Sequence, residues 1–342
     1  MNEVSQDSAA PTAASKTRSE GAPESTLATA AARLPWIGAS AVSQLTLELG
    51  NKVAGSASTV LITGESGAGK DQLARWIHEQ GPRRDSPFMK IDCASLPPEL
   101  VESELFGHEK GAFTGAIATK RGRLEIALGG TIVLDEVAAL APGIQAKLLR
   151  VLEERTFERL GGSETMRLNA RLIALTNADL QRAVAAGGFR EDLFFRLNVL
   201  TIEIPPLRAR RDDIRLLAAN FLERLSALHA RANLFFSDSA MLLLESYDWP
   251  GNVRELRNAI EHATIFAPGE ELRPEDFPAI LQAVRGGRSV LSGLRSLEEL
   301  ERDAIRATLE ATRYKIGRAA EVLGISRKTL LDKRRKYGLL EK

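Results

Sequence analysis

The feature that most constrains this chain is Gly64-Glu65-Ser66-Gly67-Ala68-Gly69-Lys70, a glycine-rich turn between a short apolar run, Ser58-Thr59-Val60-Leu61-Ile62-Thr63, and a helical pattern from Lys70 to Glu79. Strand, Gly-x-x-x-x-Gly-Lys turn and helix in that order make a phosphate loop. The glycines let backbone N–H groups face phosphate oxygens with no Cβ in the way, the helix start adds a favourable dipole, and Lys70 neutralises the β/γ charge. Such a loop belongs to an open parallel sheet, which presents ligands at the carboxyl ends of its strands.

The complementary half of such a site lies downstream. Gly129-Gly130-Thr131-Ile132-Val133-Leu134 is a buried-strand pattern that ends in Asp135-Glu136. Asp135 is placed to hold hydrated Mg²⁺ and Glu136 to polarise an attacking water. For a bare Asp-Glu pair a helix cap would be the simpler reading; the preceding strand argues for the site. The Ser or Thr that customarily follows the loop lysine is replaced by Asp71, so Mg²⁺ must be held by waters, phosphates or carboxylates, with Asp71 and Asp135 the candidates. Phe88-Met89-Lys90-Ile91 and Arg171 to Asn177 supply two more strands, the latter with polar Thr176-Asn177 at its tip.

With 342 residues, 44% hydrophobic, the chain can bury more than one core. Residues 1–31 are rich in Ala, Ser, Thr, Pro and Glu without apolar periodicity, which predicts a disordered tail too short to hold a sensing domain; control is therefore expected in trans. Residues 32–205 read as an α/β subdomain. Pro205-Pro206 breaks that pattern, residues 206–281 read as helical, 282–296 as linker and 297–342 as a last helical unit. One cysteine, Cys93, excludes a disulfide framework, and no stretch approaches a membrane span or a signal peptide, so a cytoplasmic protein without membrane contact is expected.

Between the two halves of the phosphate site lies Lys110-Gly111-Ala112-Phe113-Thr114-Gly115-Ala116-Ile117-Ala118, apolar and flexible where polar turn residues are usual. Nucleotide chemistry does not require it, so it reads as a partner-binding loop, with His108 as a structural residue at its base. The net charge of +1 is uninformative, but residues 313–342 hold ten basic and three acidic residues. In that segment Leu297, Leu300, Ile305 and Leu309 form an apolar stripe. Ala320, Gly324 and Leu330 have helix-turn-helix spacing, and Ser326 can cap the second helix. Arg327, Lys328, Lys333, Arg334 and Lys336 lie on its polar face, suited to a major groove.

Taken together, Glu104-Leu105-Phe106-Gly107-His108-Glu109-Lys110-Gly111-Ala112-Phe113-Thr114-Gly115-Ala116 and its flanks resemble the bacterial enhancer-binding proteins, the AAA+ ATPase activators of sigma-54 RNA polymerase, over about Trp36 to Leu339. The resemblance implies an AAA+ α/β fold with a parallel-sheet core and helical lid, then a small all-α Fis-type domain. It implies ATP and Mg²⁺, a ring of identical or mixed subunits (a hexamer), enhancer DNA and sigma-54 holoenzyme as partners, and Phe113, Thr114 and Gly115 as the sigma-54 contact. Thr176-Asn177 resembles the family's first sensor, and Trp249-Pro250-Gly251-Asn252-Val253-Arg254 its second, with Arg254 reaching the nucleotide. Phe189 to Asn198 resembles the segment of trans-acting arginines, making Arg190 and Arg196 the candidates. The family commonly has Asn where Asp92 stands, as a switch restraining the catalytic glutamate. A carboxylate cannot donate to Glu136 unless protonated, so that switch is expected to be weaker or to act through another group. Two other readings stay open: an AAA+ DNA-bound repressor or scaffold that does not act on sigma-54, and an architectural DNA-binding protein with an inactive nucleotide site.

Overall fold

The computed structural model describes residues 36–279, 281, 301, 302, 305–309, 312 and 314–339. The tail expected over 1–31, the linker over 282–296, and Leu297 and Leu300 of the apolar stripe lie outside the described residues.

Five strands, β1 (Val60–Thr63), β2 (Phe88–Asp92), β3 (Thr131–Asp135), β4 (Arg171–Thr176) and β5 (Leu200–Glu203), form one sheet in the order β2-β3-β4-β1-β5. Every pairing is parallel, with Thr63 opposite Thr176 and Asp92 opposite Asp135. Side chains alternate across a strand, so a sheet covered on both faces sorts its apolar residues by parity. Leu61, Ile132, Leu134, Leu172 and Ala174 enter one core, and Val60, Ile62, Val133, Ile173, Leu175 and Ile202 the other. This double coverage is why the strands read as unbroken apolar runs, and it leaves only their carboxyl ends open for chemistry.

The helices α1 (Ala41–Ala54), α2 (Lys70–Glu79), α3 (Pro98–Phe106), α4 (Pro142–Glu154) and α5 (Glu191–Leu197) accompany the sheet. Arg171, buried at the start of β4, donates to the carbonyls of Ala54 (2.8 Å) and Val53 (2.6 Å), neutralising the C-terminal end of α1. The N-terminal end of α1 is fixed by Asp213, which is fully buried and accepts from Ala39 N (2.7 Å), Ser40 N (2.8 Å), Ser40 Oγ (3.0 Å) and the Ser43 hydroxyl. One carboxylate with four donors is well compensated for its burial.

The chain divides into two compact units. The first runs to Leu217 and also takes in Trp249–Glu255; the second comprises Ala218–Asp248 and the chain from Leu256. Helices α6 (Asp212–Leu228), α7 (Asp238–Ser246) and α8 (Asn252–Phe266) follow the sheet. Near the end, α9 (Ile316–Val322) and α10 (Arg327–Lys336) form a helical pair. Leu330 of α10 is buried with Ile305, Leu309, Ala319 and Ala320. Gly324 takes φ +64° in the turn, and Ser326 accepts from Thr329 N at 3.0 Å, the cap expected of it. No helix among the described residues is long and apolar enough to cross a membrane.

Candidate functional site

The phosphate loop leaves β1 and enters α2 at Lys70. Gly67 has φ +74°, and a Cβ there would lie 2.4 Å from the Gly251 carbonyl oxygen, so conformation and space both require glycine. Lys70 is buried and its Nζ donates to the carbonyls of Gly64 (2.8 Å) and Glu65 (3.2 Å), 3.8 Å from Glu136 Oε1. Burial pushes its pKa down, against the pull of Glu136, Asp135 and Asp71. The ammonium group is thus folded onto its own loop.

The charged groups converge from three elements. Asp71 stands in the first turn of α2, where the helix dipole favours an anion, and Asp135 ends β3. Between them is Lys90 of β2, its Nζ 2.5 Å from Asp71 Oδ1 and 2.6 Å from Asp135 Oδ2. Burial alone would lower the Lys90 pKa, but the bonds to Asp135 and Asp71 outweigh it and the net shift is upward. Two hard oxygen donors already gathered about one positive charge are a donor set that fits Mg²⁺, with Asp135 and Asp71 as the residues to hold it. Glu136 follows with φ +52° and accepts from Asn177 N at 3.1 Å, so the tip of β4 holds the glutamate. Thr176 is buried and its Oγ1 accepts from Ala178 N at 3.0 Å, leaving Asn177 as the exposed member of the sensor pair.

Asp92 lies beside Asp135 in the sheet, but its Oδ1 accepts from Ala94 N (2.9 Å) and Ser95 N (3.1 Å). It therefore closes an Asx turn, and among the described residues it forms no hydrogen bond with Glu136. Next to it, Cys93 is buried; burial first, then the charges of Asp92, Asp135 and Glu136, push its thiol up to about 12, so it is an inert core residue.

A second cluster binds the loop to the Trp249–Glu255 segment. Asn252, fully buried at φ +53°, donates to Glu65 Oε2 (3.0 Å) and the Ser66 carbonyl (3.1 Å), while its Oδ1 accepts from Leu207 N (2.7 Å). Arg208 grips Glu65 with both terminal nitrogens, at 2.8 and 2.5 Å. Arg254 reaches Ser66 Oγ at 2.9 Å, which brings the second-sensor candidate to the phosphate loop. Bonds from Arg208 and Asn252 hold the Glu65 carboxyl at about 2, down from 4.5. Its contribution to stability is complete above about pH 4.5 and disappears as the pH falls toward 2. With both partners about 40% exposed, the Arg208–Glu65 pair is worth no more than ~1 kcal/mol. Glu65→Gln should therefore cost stability in urea titrations at about pH 6 and much less at about pH 3. An equal cost at both values would show that the carboxylate charge is irrelevant.

Of the two candidate trans-acting arginines, Arg190 caps the start of α5 and Arg196 lies in its last turn. Arg190 is exposed and paired with Asp192 at 3.0 and 2.6 Å; Arg196, also exposed, donates to the Leu152 carbonyl at 3.0 Å. Neither bonds to the phosphate loop or the acidic cluster of its own chain among the described residues.

The apolar run is a turn on a short antiparallel stem, Gly107–His108 against Lys120–Arg121. Ala116 N donates to Phe113 O at 3.0 Å and Gly111 N to Ala116 O at 2.9 Å, with Gly115 at φ +104° in open space. Thr114 is exposed, Phe113 is 42% exposed and Ile117 84%. His108, buried, pairs with Ser103 Oγ at 2.8 Å and meets the Phe113 ring edge-on at 4.9 Å. A backbone of local turns carrying a half-exposed aromatic ring can offer apolar contact area to another protein.

On α10, Arg327 and Lys328 are exposed near the N-terminus. Lys333 is bonded to Glu301, and Arg334 donates to Leu339 O at 2.8 Å and stacks over Tyr314. The four DNA-contact candidates thus separate into two cations with no ion pair among the described residues and two that also brace the domain. Lys90 and Arg208 are residues in contact with these candidate sites that motif reading did not single out, and Asn252 is a third contact whose role the motif did not specify. Asn252 was visible inside the second-sensor motif, and Lys90 as a lone cation in an apolar strand.

A phosphate loop facing paired carboxylates on a five-stranded parallel sheet, followed by a helical lid and a helix-turn-helix, defines an AAA+ fold joined to a DNA-binding module. Residues 36–203 match the sigma-54 interaction domain, 208–290 the AAA+ ATPase lid domain and 296–337 the Fis family of bacterial regulatory proteins. The chain is 48% identical to Regulatory protein AtoC of Escherichia coli over 296 residues, covering 84% of this chain and 64% of that protein. It is 45% identical to Transcriptional regulatory protein ZraR of Salmonella typhimurium over 303 residues, covering 89% of this chain and 69% of that protein. The crystal structure of NtrX from Brucella abortus in complex with ATP superposes with a TM-score of 0.69 at 34% identity, over 89% of this chain and 69% of that one. The chain belongs to the bacterial enhancer-binding protein family.

Proposed function

We propose that this chain is an ATP-driven transcriptional activator that binds enhancer DNA, assembles into a ring, and remodels closed complexes of sigma-54 RNA polymerase so that promoters open. The observation that carries the reading is the exposed Phe113-Thr114 turn, held on its own stem in the same unit as the phosphate loop and Glu136. A DNA-bound scaffold with no protein to move has no use for such a turn. The NtrX structure, which holds ATP, supports ATP as the nucleotide.

In this reading Glu136, steadied by Asn177 N, polarises the water that attacks the γ-phosphorus in line. Lys70 leaves the Gly64 and Glu65 carbonyls to meet the β/γ oxygens, and Arg254, already at Ser66, contributes a second charge from the lid side of the loop. Mg²⁺, when bound, neutralises charge developing on the phosphate oxygens. The remaining charge is met by Arg190 or Arg196 from a neighbouring copy, since each side chain is exposed at the edge of its own subunit. Asp92 does not restrain Glu136 directly; that restraint passes to the tip of β4, where the γ-phosphate is also sensed. Arg327 and Lys328 lead α10 into the major groove, while Lys333 and Arg334 hold the helix in position and present their remaining donors to phosphates.

The test is nucleotide-dependent capture. Immobilised protein should retain sigma-54 holoenzyme in one nucleotide state and release it in another; equal retention with and without nucleotide would contradict the coupling.

A further inference from the structure

Lys90 belongs to neither the phosphate loop nor the carboxylate motif, yet its Nζ lies at hydrogen-bond distance from both acids that could hold a metal, 2.5 Å from Asp71 and 2.6 Å from Asp135. Three chain segments contribute to this one junction: the start of α2, strand β2 and the end of β3. Without a cation between them, two carboxylates so close would repel, and one would turn away. Asp135 is the more buried of the pair, its side chain 16% exposed against 43% for Asp71, so it depends more on the compensating charge.

We propose that Lys90 is a positioning residue for the metal half of the site: a tethered cation that keeps Asp71 and Asp135 converged and competes with the divalent ion for Asp135. This inference rests on the nucleotide-site reading above. Asp71 serves as the holding partner. With Asp135 engaged by a divalent ion, Lys90 would keep its bond to Asp71 Oδ1, which leaves the second oxygen of that carboxylate for the ion. The consequence is a trade. Lys90 weakens binding of a free divalent ion, because a positive charge already occupies its ligand. It strengthens binding of nucleotide in the absence of metal, because the same charge offsets repulsion between phosphates and the cluster Asp71, Asp135 and Glu136.

Removing the charge should therefore move two affinities in opposite directions. Lys90→Gln should bind Mn²⁺ more tightly in the nucleotide-free protein, and should bind a fluorescent ADP analogue more weakly in EDTA. Two unit charges a few ångströms apart in a half-buried site correspond to a shift on the order of tenfold in the ratio of ADP affinity with Mg²⁺ to that without. The Lys90 side chain is 37% exposed, so the substitution leaves no cavity in the core. Lys90→Arg keeps the charge and should restore the wild-type ratio, which a merely structural role would not require. ADP binding in Mg²⁺ by both variants serves as the control for folding. If Lys90→Gln fails that control, Lys90→Met replaces it as the neutral variant. Free Mn²⁺ is followed by its paramagnetic resonance signal and ADP by fluorescence anisotropy. A raised ratio in the neutral variant together with rescue by arginine supports the proposal. An unchanged ratio in a folded neutral variant, with wild type showing normal Mg²⁺ dependence, overturns it and leaves the nucleotide site intact. A wild-type protein that binds ADP equally in Mg²⁺ and in EDTA overturns this proposal alone; one that binds ADP in neither overturns the nucleotide-site reading and this proposal with it.

Discussion

Mixing an Arg190→Ala chain, or an Arg196→Ala chain, with a Glu136→Ala chain should restore ATP hydrolysis that neither protein shows alone. Each variant lacks one part of every site in its own ring. A mixed ring places an intact Glu136 beside an intact arginine wherever an arginine variant is followed by a glutamate variant. With equal amounts and random assembly in a cyclic ring, half times half, or about one quarter of the interfaces are complete. The single variants should lose on the order of 10² to 10³ in rate or more, as expected for a missing charge at the transferred phosphoryl group. The geometry gives the reason: Arg190 pairs with Asp192 and Arg196 with the Leu152 carbonyl, and among the described residues neither bonds to its own Lys70–Glu136 site. Steady-state phosphate release measured across mixing ratios should peak near equality. A mixture no more active than its components would mean that neither arginine acts across the interface.

The second large effect separates the contact loop from hydrolysis. Thr114→Ala and Phe113→Ala should each abolish most transcription from a sigma-54 promoter while leaving ATP turnover within about twofold, since surface substitutions away from a site change little. Thr114 is exposed and Phe113 meets His108 in an edge contact; among the described residues the hydrogen bonds donated by Gly111, Ala112, Ala116 and Ile117 are backbone to backbone. Loss of ATPase in parallel with transcription would show that the turn supports the nucleotide site and that contact and hydrolysis are one structure.

Where apolar pattern decides the outcome, the fold was legible in the chain. Helix α2 spans Lys70–Glu79 as its periodicity indicates, and Thr131–Asp135 is a strand because Ile132, Val133 and Leu134 are buried on alternate faces of a doubly covered sheet. The phosphate loop and the Asp135-Glu136 pair were legible for the same reason, since local spacing specifies both. Residues whose role depends on elements distant in sequence were not. Lys90 gains its position because Asp71 and Asp135, 19 and 45 residues away, aim at the same point. Lys333 also bonds to Glu301, 32 residues upstream, a partner that local spacing does not specify. That Asp92 would not donate to Glu136 followed from its chemistry, whereas its bonds to Ala94 N and Ser95 N depend on the local turn.

The central claim is that hydrolysis at the Lys70–Glu136 site is converted into remodelling of sigma-54 polymerase. It is tested most directly by open-complex formation with purified components, on a sigma-54 promoter carrying the binding site of this protein. With ATP, heparin-resistant open complexes should accumulate; with a non-hydrolysable ATP analogue, or with Glu136→Gln protein and ATP, closed complexes should persist. Open complexes formed equally well with the analogue would contradict the account, because binding alone would then suffice.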